Sequence, residues 1–294
     1  MTDGDSENKF THESFGAIAS ETRMEILREL WFQRALTFSE LFDRVDVDDS
    51  GQFTYHLNKL LDHFVRKSGD RYKLTVSGTE IITTILAHAE SENPLRSPYE
   101  LDTDCYSCGS AIHAVSSGGW LRIDCDSCGK VYASFPIPVA GLRNRSPDEF
   151  LAVFDQRLRR MNALVHRGIC PNCSSPMDRK LVPDAEPEPG LPFVFNHRCE
   201  HCRLEIFTLP GTGLLEHPAI VSFYDRHDVD LFAIPHWELE WLFDGDCIAV
   251  VSETPLEYTI DVAVNDERLR ATLGENARVI ETEVTPTPSS GRTD

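Results

Sequence analysis

Eight of the nine cysteines in this 294-residue chain fall into four C-x2-C pairs. Cys105, Cys108, Cys125 and Cys128 follow the pattern C-x2-C-x16-C-x2-C, and Cys170, Cys173, Cys199 and Cys202 follow C-x2-C-x25-C-x2-C. Four thiolates at such spacing suit a tetrahedral soft metal, because each C-x2-C turn supplies two ligands from one tight bend. The expectation is one Zn2+ in each set. Full thiolate coordination leaves no open position for water, so both sites are expected to be structural rather than catalytic. The rival readings are Fe–S ligation and redox pairs; a thioredoxin-like redox pair needs a strand-to-helix setting, whereas these pairs sit between strands. Zinc-linked redox sensing stays open as an alternative, since thiolates can be oxidised and release their metal. His113, His197 and His201 are read as bystanders, and Cys247 as a buried thiol at the start of an apolar strand.

The elements that must position these ligands are legible around them. AIHAV and WLRID read as strands closing the first set, and FVFNHR and LEIFTL as strands closing the second. A first zinc ribbon is expected over 101–145 and a second over 169–213. Between them SPDEFLAVFDQRLRRMNALVHRG reads as one helix (146–168). Ser146 is its N-cap, Glu149 completes a capping box, and Gly168 stops it. The acidic loop DAEPEPG (184–190) is expected at a hairpin tip. A small α+β domain is expected over 214–284, with helices at Pro218–Asp225 and Pro235–Leu242. Its strands are expected at 247–251, 258–264, 268–273 and 277–284, with Asn265-Asp266 as a hairpin turn. Residues 285–294 read as a disordered tail.

Twenty-eight Lys and Arg stand against 48 Asp and Glu, a formal charge of −20. Only six of the basic residues are Lys. Abundant acid with scarce lysine resembles the proteins of salt-loving archaea. No apolar run approaches membrane-spanning length, and MTDGDSENKF has no signal-peptide pattern, so a soluble cytoplasmic protein with no membrane partner is expected. No Gly-rich phosphate loop, H-E-x-x-H or G-x-S-x-G occurs, and the expectation is that the chain is not an enzyme.

The first hundred residues contain no cysteine. After a polar start (1–11), apolar residues recur at helical spacing from Phe15 to Trp31, with Ser20 or Thr22 as a possible cap. TFSELFDRV (Thr37–Val45) is a short helix with a Thr37/Glu40 capping box. VDVDDSG interrupts it. A helix over Gln52–Leu61 follows, capped by Asp49 or Ser50, with Phe53, Leu57, Leu60 and Leu61 as its apolar stripe. Phe64–Thr75 reads as a hairpin turning at Ser68-Gly69-Asp70, and Ser77–Ala89 as another helix. This is the element order of a winged helix-turn-helix, expected over 12–90 and followed by a Pro/Ser linker (91–100). The fold class expected for the chain is α+β and multidomain.

Ala19-Ser20-Glu21-Thr22-Arg23, Ile26-Leu27, Ser39-Glu40-Leu41 and Phe53-Thr54-Tyr55-His56-Leu57 with Leu60 carry a resemblance to ArsR-type winged-helix regulators. The full layout with its cysteine pairs looks like haloarchaeal regulators built on that domain. The resemblance implies a homodimer on double-stranded DNA, the first helix and Ser77–Ala89 supplying the dimer surfaces. It also implies that Gln52, Thr54, Tyr55 and His56 face the major groove, with Lys59 near phosphate. The residue types agree: Gln pairs bidentately with adenine, Thr reads a methyl or an acceptor, and Lys neutralises phosphate. Thiolate metal sensing of the arsenic or cadmium kind is not expected in this part, which lacks cysteine.

Charge is unevenly placed. Residues 59–73 carry Lys59, Arg66, Lys67, Arg71 and Lys73 against two acids, whereas residues 215–294 carry five basic and 17 acidic residues. The basic run falls where a wing and a recognition helix would meet backbone. A sequence-specific DNA-binding transcriptional regulator is therefore expected. The alternatives are a zinc-ribbon adaptor that binds the transcription machinery, a zinc-thiolate redox sensor, or an RNA-processing factor.

Overall fold

The computed structural model describes residues 16–88, 95, 97–183 and 190–287. The polar start, most of the acidic loop 184–190 and residues 288–294 of the expected tail lie outside them. Contacts divide the chain into two compact units, residues 1–91 with 138–140 and residues 92–137 with 141–294.

In the first unit α1 (Glu21–Gln33) buries Arg23, Ile26, Leu27 and Leu30, the stripe that a 3.6-residue period places on one side. β1 (Leu36–Thr37) leads into α2 (Phe38–Phe42). The capping box is present: Glu40 N–H donates to Thr37 Oγ1 at 3.3 Å, and Glu40 Oε2 accepts from Thr37 N–H at 2.8 Å. The helix expected to reach Val45 stops at Phe42, where the Asp43 amide turns back on Ser39 and Leu41. Three residues on, Glu25 of α1 takes the Asp46 N–H at 3.0 Å, which draws the chain off the helical path.

α3 (Ser50–Leu60) begins at Asp49, whose carboxylate accepts the Gln52 amide at 2.7 Å. Its buried stripe is Phe53, Leu57 and Leu60. Phe53 lies edge-on to Phe38 and Phe42, with ring centroids 5.1 and 5.3 Å away. β2 (Val65–Ser68) and β3 (Arg71–Leu74) form a hairpin, and β1 adds to its other side in the order β1-β3-β2. α4 (Val76–His88) closes the unit. Gly78 is needed there, because a Cβ would lie 2.1 Å from the Phe64 carbonyl oxygen.

The second unit is mixed α and β, with three antiparallel meanders. β4 (Tyr99–Asp104), β5 (Ala111–Ser117), β6 (Trp120–Asp124) and β7 (Val131–Pro136) pair in sequence order. Tyr99 and Glu100, expected in a linker, are already sheet. α5 (Pro147–His166) starts at the Ser146/Glu149 capping box with proline in its first turn. β8 (Met177–Pro183), β9 (Phe193–Cys199) and β10 (Glu205–Thr208) make the second meander, and α6 (Pro218–Asp225) follows. β11 (Ile248–Glu253), β12 (Leu256–Val264), β13 (Glu267–Gly274) and β14 (Val279–Pro286) make the third. β14 runs into the expected tail, pairing Arg268 with Thr285 and Glu267 with Pro286.

Two packing features tie this unit together. Tyr258 of β12 is fully buried and meets Phe193 of β9 at 5.0 Å, edge to face. Asp155 of α5 is buried and accepts from Arg159 Nε at 2.7 Å and from the His236 backbone N–H at 2.9 Å. That second bond explains why the helix expected over Pro235–Leu242 is two 3-10 turns, His236–Glu238 and Glu240–Leu242. The backbone is held at His236 and kinks at Leu239, with φ −86° and ψ 86°. Among the described residues no helix is long and apolar enough to cross a membrane.

Candidate metal centres and the outer face of the third helix

All four C-x2-C segments fold into the same bend. The first cysteine's N–H donates to the carbonyl five residues on: Cys105 to Ser110, Cys125 to Lys130, Cys170 to Ser175 and Cys199 to Leu204, at 2.7 to 2.9 Å. The residue directly after the second cysteine takes a left-handed backbone to close the loop. It is Gly109 (φ 70°) and Gly129 (φ 76°) in the first set, but Ser174 (φ 61°) and Arg203 (φ 62°) in the second. The bend aims both sulfurs of a pair to one side, so two bends at adjacent strand ends gather four.

The four sulfurs of each set lie within 4.8 Å of one another. Cys105–Cys128 and Cys108–Cys125 are 3.6 and 3.5 Å apart, and Cys170–Cys202 and Cys173–Cys199 repeat those distances. A metal at the usual ~2.3 Å zinc–sulfur distance puts tetrahedral sulfurs about 3.8 Å apart, so the residues present fit such an ion. None of the cysteines is in a disulfide. Each set could hold a metal ion, with every ligand the sequence selected in place.

Neighbouring groups favour thiolate at Cys108 and Cys173 and oppose it at Cys128, where, against the Lys130 amide, burial and the other three sulfurs push the thiol up. Hydrogen bonds from the Ser110 hydroxyl and amide bring the Cys108 thiol down to about 6, and Ser175 does the same for Cys173, also to about 6. Burial works the other way at Cys170, pushing it up to about 11. The first set has a further donor that sequence reading missed: the Tyr132 hydroxyl of β7 donates to Cys105 Sγ at 3.2 Å. The Tyr132 carbonyl lies 3.1 Å from His236 Nε2, and His236 Nδ1 lies 3.1 Å from Asp155 Oδ1. Thus the first set is joined to the buried carboxylate of α5. Asp155 and Arg159, four apart on a helix, are a visible charge pair in the sequence, but nothing there shows that the pair is buried.

The second set sits beside two histidines. His197 Nε2 pairs with Thr208 Oγ1 at 2.9 Å and His166 Nε2 with Thr212 Oγ1 at 2.8 Å, the rings meeting edge to face. Burial holds both neutral, bringing His166 down to about 4 and His197 to about 3, with Arg179 adding to each. His113 lies 3.6 Å from Glu100 and 3.8 Å from Asp126, and neither metal set includes a histidine. Cys247 is half-buried rather than buried, and burial pushes its thiol up to about 11.

In the first unit the residues expected on the outer face of α3 divide. Gln52, Tyr55 and Lys59 are exposed on one stripe, Lys59 Nζ lying 5.7 Å from the centre of the Tyr55 ring. Thr54 is half-buried and its hydroxyl bonds to the Ser50 carbonyl at 2.7 Å. His56 departs from the expected outward face: it is half-buried, with Nδ1 3.3 Å from Arg23 Nη1. Burial and then the Arg23 charge lower its pKa. On the hairpin Arg66 and Lys67 are exposed and Lys73 is half-buried. Arg71 is engaged at the turn end of the hairpin, donating to the Ala35 carbonyl and pairing with Glu40 at 3.3 Å.

Residues 102–279, which take in both cysteine sets and most of the C-terminal sheet, match the family model described as domain of unknown function DUF7351. Residues 11–85 match a second model, domain of unknown function DUF7347. The first match covers more than half of the sequence, and the chain belongs to the DUF7351 family. No curated protein and no solved structure matches it.

Proposed function

We propose that this DUF7351 protein is a sequence-specific DNA-binding transcriptional regulator. In this reading its first unit is a winged helix-turn-helix of the ArsR-like kind and each cysteine set holds one structural Zn2+. One observation carries the DNA-binding reading. In a chain of net charge −20, α3 turns Gln52, Tyr55 and Lys59 outward, and the hairpin that follows exposes Arg66 and Lys67. Gln52 and Tyr55 have the hydrogen-bonding groups to read base edges, and the three cations have the charge to contact phosphate. His56 and Arg71, held by Arg23 and Glu40, support the geometry of the helix and hairpin rather than touching DNA.

Zinc is the metal that four thiolates in a tetrahedron favour, and full coordination makes each site a folding element. The protein acts as a homodimer in a salt-rich cytoplasm. There counterion release contributes little to affinity, and base contacts must supply more of it. The adaptor reading draws on Trp120 and Phe207, large aromatic residues left exposed in the second unit.

Genome-wide occupancy of the wild type and of a Gln52→Ala, Tyr55→Ala, Lys59→Ala variant tests the proposal. The variant is expected to keep its fold and two zinc ions per chain while losing its sites. Unchanged occupancy would favour the adaptor.

A further inference from the structure

Among the described residues, Arg179 of β8 has no counterion. The chain has 48 acidic residues, yet among the described residues none comes within ion-pairing distance of this guanidinium. Its Nη2 donates to the His166 carbonyl at 2.8 Å, and its plane lies over the Phe195 ring, 5.6 Å from the centroid. Its Nε is buried and donates to nothing. Burial weakens its hold on the proton; the Tyr258 phenol acts the other way, and the second cation Arg278 adds to the weakening. Arg179 is half-buried, and a partly desolvated charge left in this state is unfavourable unless something completes its shell.

The same side chain lines a cavity of about 840 Å³ between the β8–β9 hairpin and the C-terminal sheet. Leu181, Pro183, Pro192 and Phe193 form one wall, and Val250 and Leu256 line the other. Glu253 and Glu275, both exposed, stand in the lining as well, without pairing to Arg179. Small-molecule sites have this make-up: about 300–1,000 Å³, mostly apolar, with few polar groups that fix orientation.

We infer that this cavity binds an amphipathic organic monoanion, with a carboxylate on Arg179 and an apolar body against Phe193, Leu181, Val250 and Leu256. Guanidinium takes carboxylate through paired N–H donors, and Arg179 has donors to spare. The two glutamates select against ligands with several negative charges, such as nucleotides. The cavity lining shares no residue with either cysteine set or with α3. It gives the second unit a means of responding to a metabolite, whatever the first unit binds.

Titration calorimetry on the full-length, metal-loaded chain tests this with octanoate and its neutral analogue octanamide. Octanoate is expected to bind about tenfold or more tightly than octanamide, the fold-change a charge-assisted hydrogen bond gives. Arg179→Gln is expected to bring the two ligands to similar affinity. Because Arg179 also supports the His166 carbonyl, Leu181→Glu provides a second test at a position 40% exposed. The added carboxylate is expected to weaken octanoate about tenfold, with metal content and melting temperature unchanged. No octanoate binding up to roughly 10 mM would overturn the inference, as would an octanoate preference that survives both substitutions.

Discussion

The two cysteine sets have the same sulfur geometry in different settings. In the first, Cys108 and Cys128 are exposed, while the outer cysteines of the second, Cys173 and Cys202, are half-buried. The first is braced by hydrogen bonds, from Tyr132 to Cys105 and onward through His236 to Asp155. The second is braced by packing: Val165, Met177 and Ile206 gather around Cys170 and Cys199. On the same β9 strand, Phe193 and Phe195 meet Tyr258 of the C-terminal sheet. One ligand pattern can thus be held by a polar chain or by an apolar core, and the two should fail under different stresses.

Removing a ligand is the severest test. Structural zinc contributes on the order of 10 kcal/mol to folding. Cys125→Ser should cost one metal ion and amide protection in β4–β7. Cys199→Ser should cost one metal ion and extend the loss into β11–β14, where Tyr258 is seated. Hydrogen exchange with metal counting reads both. Equal loss in β11–β14 from either substitution would erase the distinction.

Asp155→Ala comes next. It leaves Arg159 buried without its carboxylate, a change that typically costs about 3–5 kcal/mol. The loss should register first in β7, since His236 would no longer be fixed against the Tyr132 carbonyl. A denaturant melt followed by exchange in β7 and β9 separately would show whether the damage stays on that side.

Acid should act in the opposite order. His166 is held neutral, so the unfolded chain takes up a proton below about 6.5 while the folded chain resists until about 4. Stability near the second set is therefore full above about 6.5 and falls as the pH drops toward about 4, by at most about 3 kcal/mol for this half-buried residue. His166→Gln should flatten that slope. Asp155 behaves differently. Burial alone would raise it, but the His236 hydrogen bond and the His236 and Arg159 charges outweigh burial and lower it. Its contribution is present above the ordinary carboxylate value of about 3.9 and is lost as pH falls through the folded value below that. Mild acid should loosen the second set before the first, measurable by exchange at pH 5 (about midway in the His166 window).

The smallest effect concerns the left-handed position of each bend. Gly109→Ala meets no atom within 4 Å, so its cost is backbone strain alone, about 1–2 kcal/mol. Arg203→Gly, at the equivalent place in the second set, should gain less than about 1 kcal/mol, because glycine also loosens the unfolded chain. Chemical denaturation of both variants measures the contrast.

What the sequence determined is whatever depends on neighbours along the chain. The eight ligands were legible because a C-x2-C bend is local, and CYSCG and CDSCG even carry the glycine it uses. CPNCS and CEHCR fold the same way without that signal, because metal-site geometry and flanking strands outweigh a modest φ penalty. Both capping boxes, the start of α5 and most of the strands were likewise set by residues three or four apart. The tertiary structure decided the rest. His56 reads as a surface residue until Arg23, 33 positions earlier, is found beside it. The helix expected at Pro235–Leu242 gave way to a hydrogen bond that the His236 N–H donates to Asp155, 81 positions away. Tyr132, Asp155 and Arg179 matter because of which groups surround them once water is excluded. Burial sets the value of a charge or a hydroxyl, and burial is a property of the assembled fold.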